Sequence, residues 1–392
     1  MLSFIEAQKS INQFARSFGT EIVELDDALG RVLAENIFAD RDYPPFNRSA
    51  MDGFAIRMED IGNGILKFKL IDTIYAGGTT DKAISTGECF KIMTGAAVPL
   101  SADAVIRVED SVSMVDGISF NINEVRPFQN IAHRGEDAVA ASLLAAKSIR
   151  ISPSLIGLMA TVGKERVSVE RLPSIAIITT GDEVVSVGNA VSNVRIRDSN
   201  LPVLKALFKK WNIGTAYYSH VRDNMGDLLS AIDKALDYDI VVISGGVSAG
   251  DADYVPDVLR QSGVAKLFHK VAIKPGKPFW CGKKENRIVF ALPGNPFSCL
   301  VTFRVFIRPY LEACFGLRRQ QLFIPIRLER KQKVKLDEFF PVNIVGNPSH
   351  LEPIVLNGSG DIRLAYQAKA LALHPSGKKY LKAGEAVQIF CL

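Results

Sequence analysis

Four stretches of the sequence set residues suited to anion chemistry in loops framed by glycine or proline. They are Thr179-Thr180-Gly181-Asp182-Glu183, Ser244-Gly245-Gly246-Val247-Ser248-Ala249-Gly250-Asp251, Ile273-Lys274-Pro275-Gly276-Lys277-Pro278 and Leu292-Pro293-Gly294-Asn295-Pro296. In the second, small residues let backbone N–H groups converge on an oxyanion, as phosphate-cradling turns do. Its Asp251, with Asp253 just beyond, offers the hard carboxylate oxygens that Mg²⁺ takes beside phosphates. A tight structural turn with a helix cap is the other reading of such a loop. Three loops of this kind in one region weigh toward a ligand site. Lys274 and Lys277 stand three apart in a Pro-Gly frame, which fixes two point charges in a way that suits a phosphate-like oxyanion. The other reading is a pair of solvated surface lysines.

Two acid-bearing constellations lie earlier in the chain. One is Pro44-Pro45-Phe46-Asn47-Arg48-Ser49-Ala50-Met51-Asp52-Gly53-Phe54-Ala55; the other is Arg134-Gly135-Glu136-Asp137. Taken singly each reads as a cap or a turn, and the same holds for Thr94-Gly95 and Glu109. The five histidines have no ligand spacing, and no Ser/His/Asp or Cys/His arrangement is present. The five cysteines are scattered and odd in number, which reads as buried reduced thiols in a cytoplasmic protein.

The elements that must position these residues fall into four zones. Residues 3–17 read as a helix, with Phe4, Ala7, Ile11, Phe14 and Ala15 on one face. From 21 to 138 short apolar runs at 66–74, 88–93 and 104–108 are broken by Gly, Pro, Asn and Asp, the texture of a strand-rich lobe. Residues 152–163 read as a helix, with Ser152-Pro153 as its cap and first position. Between 173 and about 316 strands and helices alternate: strands at 175–179, 216–220, 240–243 and 287–292, helices at 201–211, 225–236, 255–261 and 297–314. Alternation of this kind predicts a doubly wound, mostly parallel sheet, whose ligands sit at the carboxyl ends of the strands. Three of the four loops fall there. Short strands return from 321 to the end, giving a small C-terminal β domain. The fold class is therefore multi-domain α/β plus β. Four domains are expected: 1–20 with 139–172 as a helical linking domain, 21–138, 173–320 and 321–392.

The bulk properties exclude several classes. The net charge of +5 over 392 residues, without a Lys/Arg block, argues against nucleic acid. The opening Met-Leu-Ser-Phe-Ile-Glu lacks a signal peptide's basic flank and apolar core, and no run reaches the roughly 20 apolar residues of a membrane span.

Together these segments resemble the molybdopterin molybdotransferases, the family of bacterial MoeA and the E domain of gephyrin. The matching stretches are Ser49-Ala50-Met51-Asp52-Gly53-Phe54-Ala55, Met93-Thr94-Gly95-Ala96, Gly135-Glu136-Asp137, Thr180-Gly181-Asp182-Glu183, Arg197-Asp198-Ser199-Asn200, Ser244-Gly245-Gly246-Val247-Ser248, Lys274-Pro275-Gly276-Lys277-Pro278 and Leu292-Pro293-Gly294-Asn295-Pro296. They stand in family order, and the resemblance covers nearly the whole chain. It implies an elongated homodimer with a strand-rich lobe, an α/β domain and a C-terminal β barrel. It implies binding of adenylylated molybdopterin and molybdate with Mg²⁺, release of AMP, and molybdenum left on the dithiolene. A molybdopterin adenylyltransferase is the expected upstream partner. The resemblance points to Asp52, Thr94, Asp137, Glu183 and Asp251 for metal and nucleotide chemistry, with Glu183 and Asp251 as metal ligands. It places Lys274, Lys277 and Ser298 around molybdate, Ser244, Gly245, Gly246 and Ser248 on the substrate, and the Pro293–Pro296 loop as the pocket wall.

The departures are C-terminal. Pro341 and Leu364 stand where the family brings an Arg and a Ser, and Lys369 replaces a usual Asn. A divergent pterin-nucleotide binding or tungstate-using paralogue is the alternative these raise. The adenylyltransferase itself shares the Ser-Gly-Gly loop but has no reason to carry Ser-Ala-Met-Asp-Gly.

Overall fold

The computed structural model describes residues 1–122, 124–247, 254–355, 357–358, 360–361 and 367–392. The chain opens with α1 (Phe4–Asn12), closed at its N-terminus by a Ser3/Glu6 capping box. It is shorter than the 3–17 helix expected from periodicity. Beyond Gln13 the chain turns so that Arg16 reaches Asp239 and Phe18 packs on Phe315, and those tertiary contacts override the helical pattern.

Two compact units form: Met1–Ala34 with Ser148–Ser152 and Val167–Leu392, and Glu35–Lys147 with Pro153–Arg166. Residues 1–20 thus share a unit with 148–152 and 167–172 of the expected linking domain. Phe4 of α1 lies edge-on to Phe306, Phe339 and Phe390, with centroids 5.7, 5.1 and 6.2 Å away. Helix α2 (Pro153–Thr161) instead belongs to the other unit, where the carbonyl of Thr161 accepts the Tyr43 hydroxyl at 2.8 Å.

The second unit is strand-rich, as its turn residues predict. Short strands β1 (Arg48–Ser49), β2 (Gly53–Ile56), β3 (Lys67–Ile74), β4 (Glu88–Ile92), β5 (Ala104–Arg107), β6 (Ser111–Met114), β7 (Gly117–Phe120) and β8 (Ile131–Ala132) succeed one another. All but β1 and β8 join one sheet in the order β5-β2-β4-β3-β7-β6. Its core gathers Phe54, Phe68 and Phe120.

In the first unit β9 (Ile175–Thr180), α3 (Asn200–Lys209), β10 (Thr215–Val221), α4 (Met225–Ala235), β11 (Ile240–Ser244) and α5 (Val255–Gln261) alternate as expected. Strand β9 is buried on both faces: Ile175 and Ile177 face the core of α1 and α3, while Ala176 and Ile178 face that of α4 and α5. Beyond come β12 (Ala265–His269), β13 (Ile273–Lys274), β14 (Trp280–Lys284) and β15 (Arg287–Leu292). The sheet order is β10-β9-β11-β15-β14-β12, with β10, β9, β11 and β15 parallel. Strands β14 and β12, absent from the sequence reading, are antiparallel. Only Glu285 and Asn286 separate β14 from β15, too short a link for a parallel crossover.

The expected helix at 297–314 is α6 (Pro296–Thr302), a wide π turn at Phe303–Ile307, and α7 (Arg308–Cys314). Pro309 removes one backbone donor from the run, and the ladder widens around the loss.

The C-terminal strands are β16 (Leu322–Pro325), β17 (Asp337–Val345), β18 (His350–Pro353), β19 (Ala370–His374) and β20 (Ala386–Cys391). They run β18-β17-β19-β20-β16. A bridge from Ile326 to Leu351 and a hydrogen bond from Arg327 N to Leu351 O (3.0 Å) close them into a small barrel around Phe340, Val342, Leu351 and Ile389. Among the described residues no helix is long and apolar enough to cross a membrane.

One polar cluster is buried in this barrel. Arg330 lies 3.9 Å over the Phe340 ring, pairs with Glu338 at 3.0 Å and donates to His374 Nδ1 at 2.8 Å. His374 Nε2 contacts the Lys378 carbonyl at 2.6 Å, so the ring is neutral with its proton on Nε2. Burial first, then the charge of Arg330, lower the His374 pKa. The unfolded chain therefore binds the proton more readily, and stability present above the ordinary histidine pKa is lost as pH falls below it. Thermal unfolding from pH 7.5 to 5 should show a falling midpoint, and His374→Gln should flatten that slope. An equal slope in both proteins would remove His374 from the account.

Candidate functional site

The carboxyl edge of the parallel strands gathers three of the four loops. Strand β9 leads into 181–183, β11 into 245–247 and β15 into 293–296, and together they line a cavity of about 480 Å³. Glu183, Ser244, Gly245, Gly246, Pro293 and Pro296 all reach it. Asn200, at the start of α3, ties the loops together: its Nδ2 donates to Ser244 Oγ at 2.9 Å and to the Gly294 carbonyl at 2.7 Å. Asp198 accepts from Leu201 N at 3.0 Å, while its second carboxylate oxygen is buried and has no hydrogen-bond partner among the described residues. Thr180 donates to Asp223, and Asp223 N donates to Asp182 at 3.3 Å.

The glycines at β11's end have a packing role. A Cβ on Gly245 would lie 2.7 Å from the Thr180 carbonyl oxygen, and one on Gly246 2.7 Å from Val255 Cγ2 in α5. Both also hold positive φ, +106° and +65°, where L side chains are strained. The Gly245 N–H donates to the Leu292 carbonyl at 3.1 Å, so this donor is not available to cradle an oxyanion.

The lysine loop is fixed from two sides. Ile273 and Lys274 pair with Asp337 and Glu338 at the start of β17. Gly276, at φ +104°, comes so close to α6 that a Cβ would meet Thr302 Cγ2 at 2.7 Å. Pro278, next in the loop, lines the cavity. Lys274 and Lys277 are themselves exposed. Ser298 is buried inside α6 and is not one of the residues lining the cavity.

Asp52, Thr94 and Asp137 belong to the other unit. There the segments carrying them converge. Gly95 N donates to Ser49 O (2.8 Å), Ala50 N to Asn130 O (2.9 Å), and Gly135 N and Asp137 N to the carbonyls of Pro44 and Tyr43 (2.9 Å each). Asp52 Oδ1 accepts from both the N–H and the hydroxyl of Thr94 at 2.7 Å. Those bonds, the backbone one first, hold the exposed Asp52 carboxyl below its ordinary range, so it is an anion at neutral pH. Asp137 is exposed.

Ser248, Asp251, Asp253 and Leu364 lie outside the described residues. Pro341 is buried within β17, opposite Leu371 of β19. Asn200 and Asp198 went unassigned from sequence, although Asp-Ser-Asn before an apolar helical run is a helix-start signal. Thr179 and His220 form another such pair, Oγ1 to Nδ1 at 3.1 Å. Four cysteines, Cys89, Cys281, Cys299 and Cys314, are buried free thiols, and burial pushes Cys89 and Cys299 up to about 12. Among the described residues no three His, Cys, Asp or Glu side chains converge as a closed metal site. The cavity's acids, Glu183, Asp198 and Asp223, line it separately and offer only oxygen donors, one of them the Asp198 oxygen that has no hydrogen-bond partner among the described residues. That set suits Mg²⁺, which takes one or two carboxylates together with substrate phosphates.

This fold is shared end to end with solved MoeA structures. A molybdopterin biosynthesis MoeA protein from Pyrococcus horikoshii OT3 superposes with a TM-score of 0.86 at 27% identity, covering 100% of both chains. A second structure from that organism gives 0.81 at 30% identity, over 100% of this chain and 99% of the other. Residues 2–163 match the MoeA N-terminal region (domain I and II), and residues 176–313 a probable molybdopterin binding domain. The molybdopterin molybdenumtransferase of Staphylococcus epidermidis is 33% identical over 378 residues, 94% of this chain and 90% of that one. Its Staphylococcus aureus counterpart is 32% identical over 395 residues, 97% and 93% of the two chains. The chain belongs to the MoeA family of molybdopterin molybdenumtransferases.

The Asn200 bonds have a measurable consequence. Asn200→Ala leaves the Gly294 carbonyl and the Ser244 hydroxyl without their shared donor, a loss of about 1–3 kcal/mol for a buried unsatisfied group. Urea unfolding should read that loss, and amide exchange at Gly294 and Asn295 should quicken. Unchanged exchange there would show that the loops hold together without Asn200.

Proposed function

We propose that the chain is a molybdopterin molybdenumtransferase that takes adenylylated molybdopterin and molybdate, releases AMP and leaves molybdenum on the pterin dithiolene. The observation that carries this reading is the set of three strand-end loops around one cavity, two of them tied together by Asn200, with the lysine loop braced beside it. Cleaving a phosphoanhydride develops negative charge that the site must neutralise. Mg²⁺, held by Glu183 and Asp251, supplies that neutralisation when bound. Lys274 and Lys277 take the molybdate dianion, and the Pro293–Pro296 loop shapes the wall against which the pterin lies. Asp52, Thr94 and Asp137 serve the nucleotide chemistry. The thiolates that receive molybdenum are the pterin's own, so no soft ligand is asked of the protein.

The working form is a homodimer in the cytoplasm, with Asp52 of one subunit facing the loops of the other and a molybdopterin adenylyltransferase supplying the substrate. An isologous dimer of this kind should sediment at twice the chain mass at micromolar concentration. A monomer under those conditions would sink it.

The defining assay is cofactor formation from adenylylated molybdopterin and molybdate, with and without Mg²⁺. Activity should require Mg²⁺; metal-independent turnover would overturn the assigned role of Glu183 and Asp251. At an effective dielectric near 20, a charge contact at about 4 Å is worth roughly 4 kcal/mol before desolvation. Lys274→Ala and Lys277→Ala should each weaken the molybdate dependence by about one to two orders of magnitude, roughly 1.4–2.8 kcal/mol. If both left it unchanged, the oxyanion site is elsewhere.

A further inference from the structure

A second cavity, of about 300 Å³, lies where α7 and the segment after it meet β20 of the barrel. Arg304, Arg308, Arg318 and Arg319 line it, and Glu312 is the carboxylate among its lining residues. That acid is already engaged: Arg308 Nε donates to it at 2.6 Å across one helical turn. Among the described residues, Arg304, Arg318 and Arg319 form no ion pair. Four guanidinium groups against one carboxylate leave three positive charges in excess.

We propose that this cavity is a binding site for a small ligand carrying a tetrahedral dianionic oxyanion, either free or as a phosphomonoester. Three observations carry the assignment. The arginine fork matches two oxygens of such a group at once, which a lysine cannot do. Arg319 is held over the Phe390 ring, 5.3 Å from its centroid, so this guanidinium is positioned on the cavity's apolar wall. Lost hydration holds the Arg319 guanidinium below its ordinary proton affinity; Glu312 offsets part of that loss, and repulsion from Arg308 adds to it. A bound dianion relieves that repulsion. The site shares no residue with the loop cavity, so it stands whether or not the transferase reading does.

Calorimetric titration of the full chain at low ionic strength tests it, with inorganic phosphate in one arm and phenyl phosphate in the other. Saturable binding is expected that Arg304→Gln/Arg319→Gln weakens at least tenfold and Lys274→Ala/Lys277→Ala leaves in place. Glu312→Gln, which removes the opposing charge, should tighten binding severalfold; this second variant keeps the test sharp if the arginine pair folds poorly. Phenyl phosphate binding at least tenfold tighter than phosphate assigns an organic ester seated against Phe390, and equal binding assigns a free oxyanion. The proposal is overturned if neither ligand saturates the protein at millimolar concentration. It is equally overturned if binding follows the lysines and ignores the arginines, or if Glu312→Gln weakens it.

Discussion

The two hydrogen bonds from the Asn200 amide are the constraint on which the cavity rests. A parallel sheet brings loops to one edge without fixing their spacing, because each loop leaves its strand independently. Asn200 removes that freedom by holding the end of β11 and the turn after β15 to a single side chain. The side chain is itself fixed by its place at the start of α3, where Asp198 caps the first turn. Thr180 and Asp223 extend the same tie to β10. The cavity wall is thus set in advance, and a ligand entering it would have less ordering to supply.

The glycine contacts belong to the same construction. Gly245 and Gly246 let β11's loop press against β9 and α5 with no room for a Cβ, and Gly276 does so for the lysine loop against α6. Gly245 meets the backbone at the end of β9, whereas Gly246 and Gly276 meet the side chains of Val255 in α5 and Thr302 in α6. These contacts explain why the loops are rich in glycine even though the Gly245 N–H is occupied by Leu292.

Much of this was legible in the sequence, and the part that was not has physical causes. The parallel strands β9, β11 and β15 announced themselves as continuous apolar runs, because burial on both faces removes alternation. The antiparallel pair β12 and β14 did not, since Lys266, Lys283 and Lys284 interrupt the pattern of strands nearer the sheet's edge. The break in the long helix followed from Pro309, a signal present but outvoted by the apolar periodicity around it. Loop residues with charge, such as Lys274 and Glu183, were easy to nominate by type. Asn200 was not, because an amide reads as a cap until the two loops it joins are seen side by side. Asp52 and Thr94, far apart in sequence, were each ambiguous for the same reason. Their mutual bond depends on the pairing of β2 with β4, which no local pattern encodes.

The barrel enters the site through backbone rather than through its own side chains. Residues Ile273 and Lys274 add a short parallel strand to β17 at Asp337 and Glu338, and Asp337 N donates to the Ala272 carbonyl at 3.1 Å. Glu338 is also the partner of Arg330 in the buried cluster, so the residue that registers the lysine loop is held by the barrel interior. Pro341 lies three residues further along β17, buried opposite Leu371. A proline there leaves the 337–338 pairing intact, and that pairing places Lys274. Divergence at Pro341 therefore alters the barrel wall without moving the lysines. The positions of Lys274 and Lys277 depend instead on the start of the strand and on Gly276.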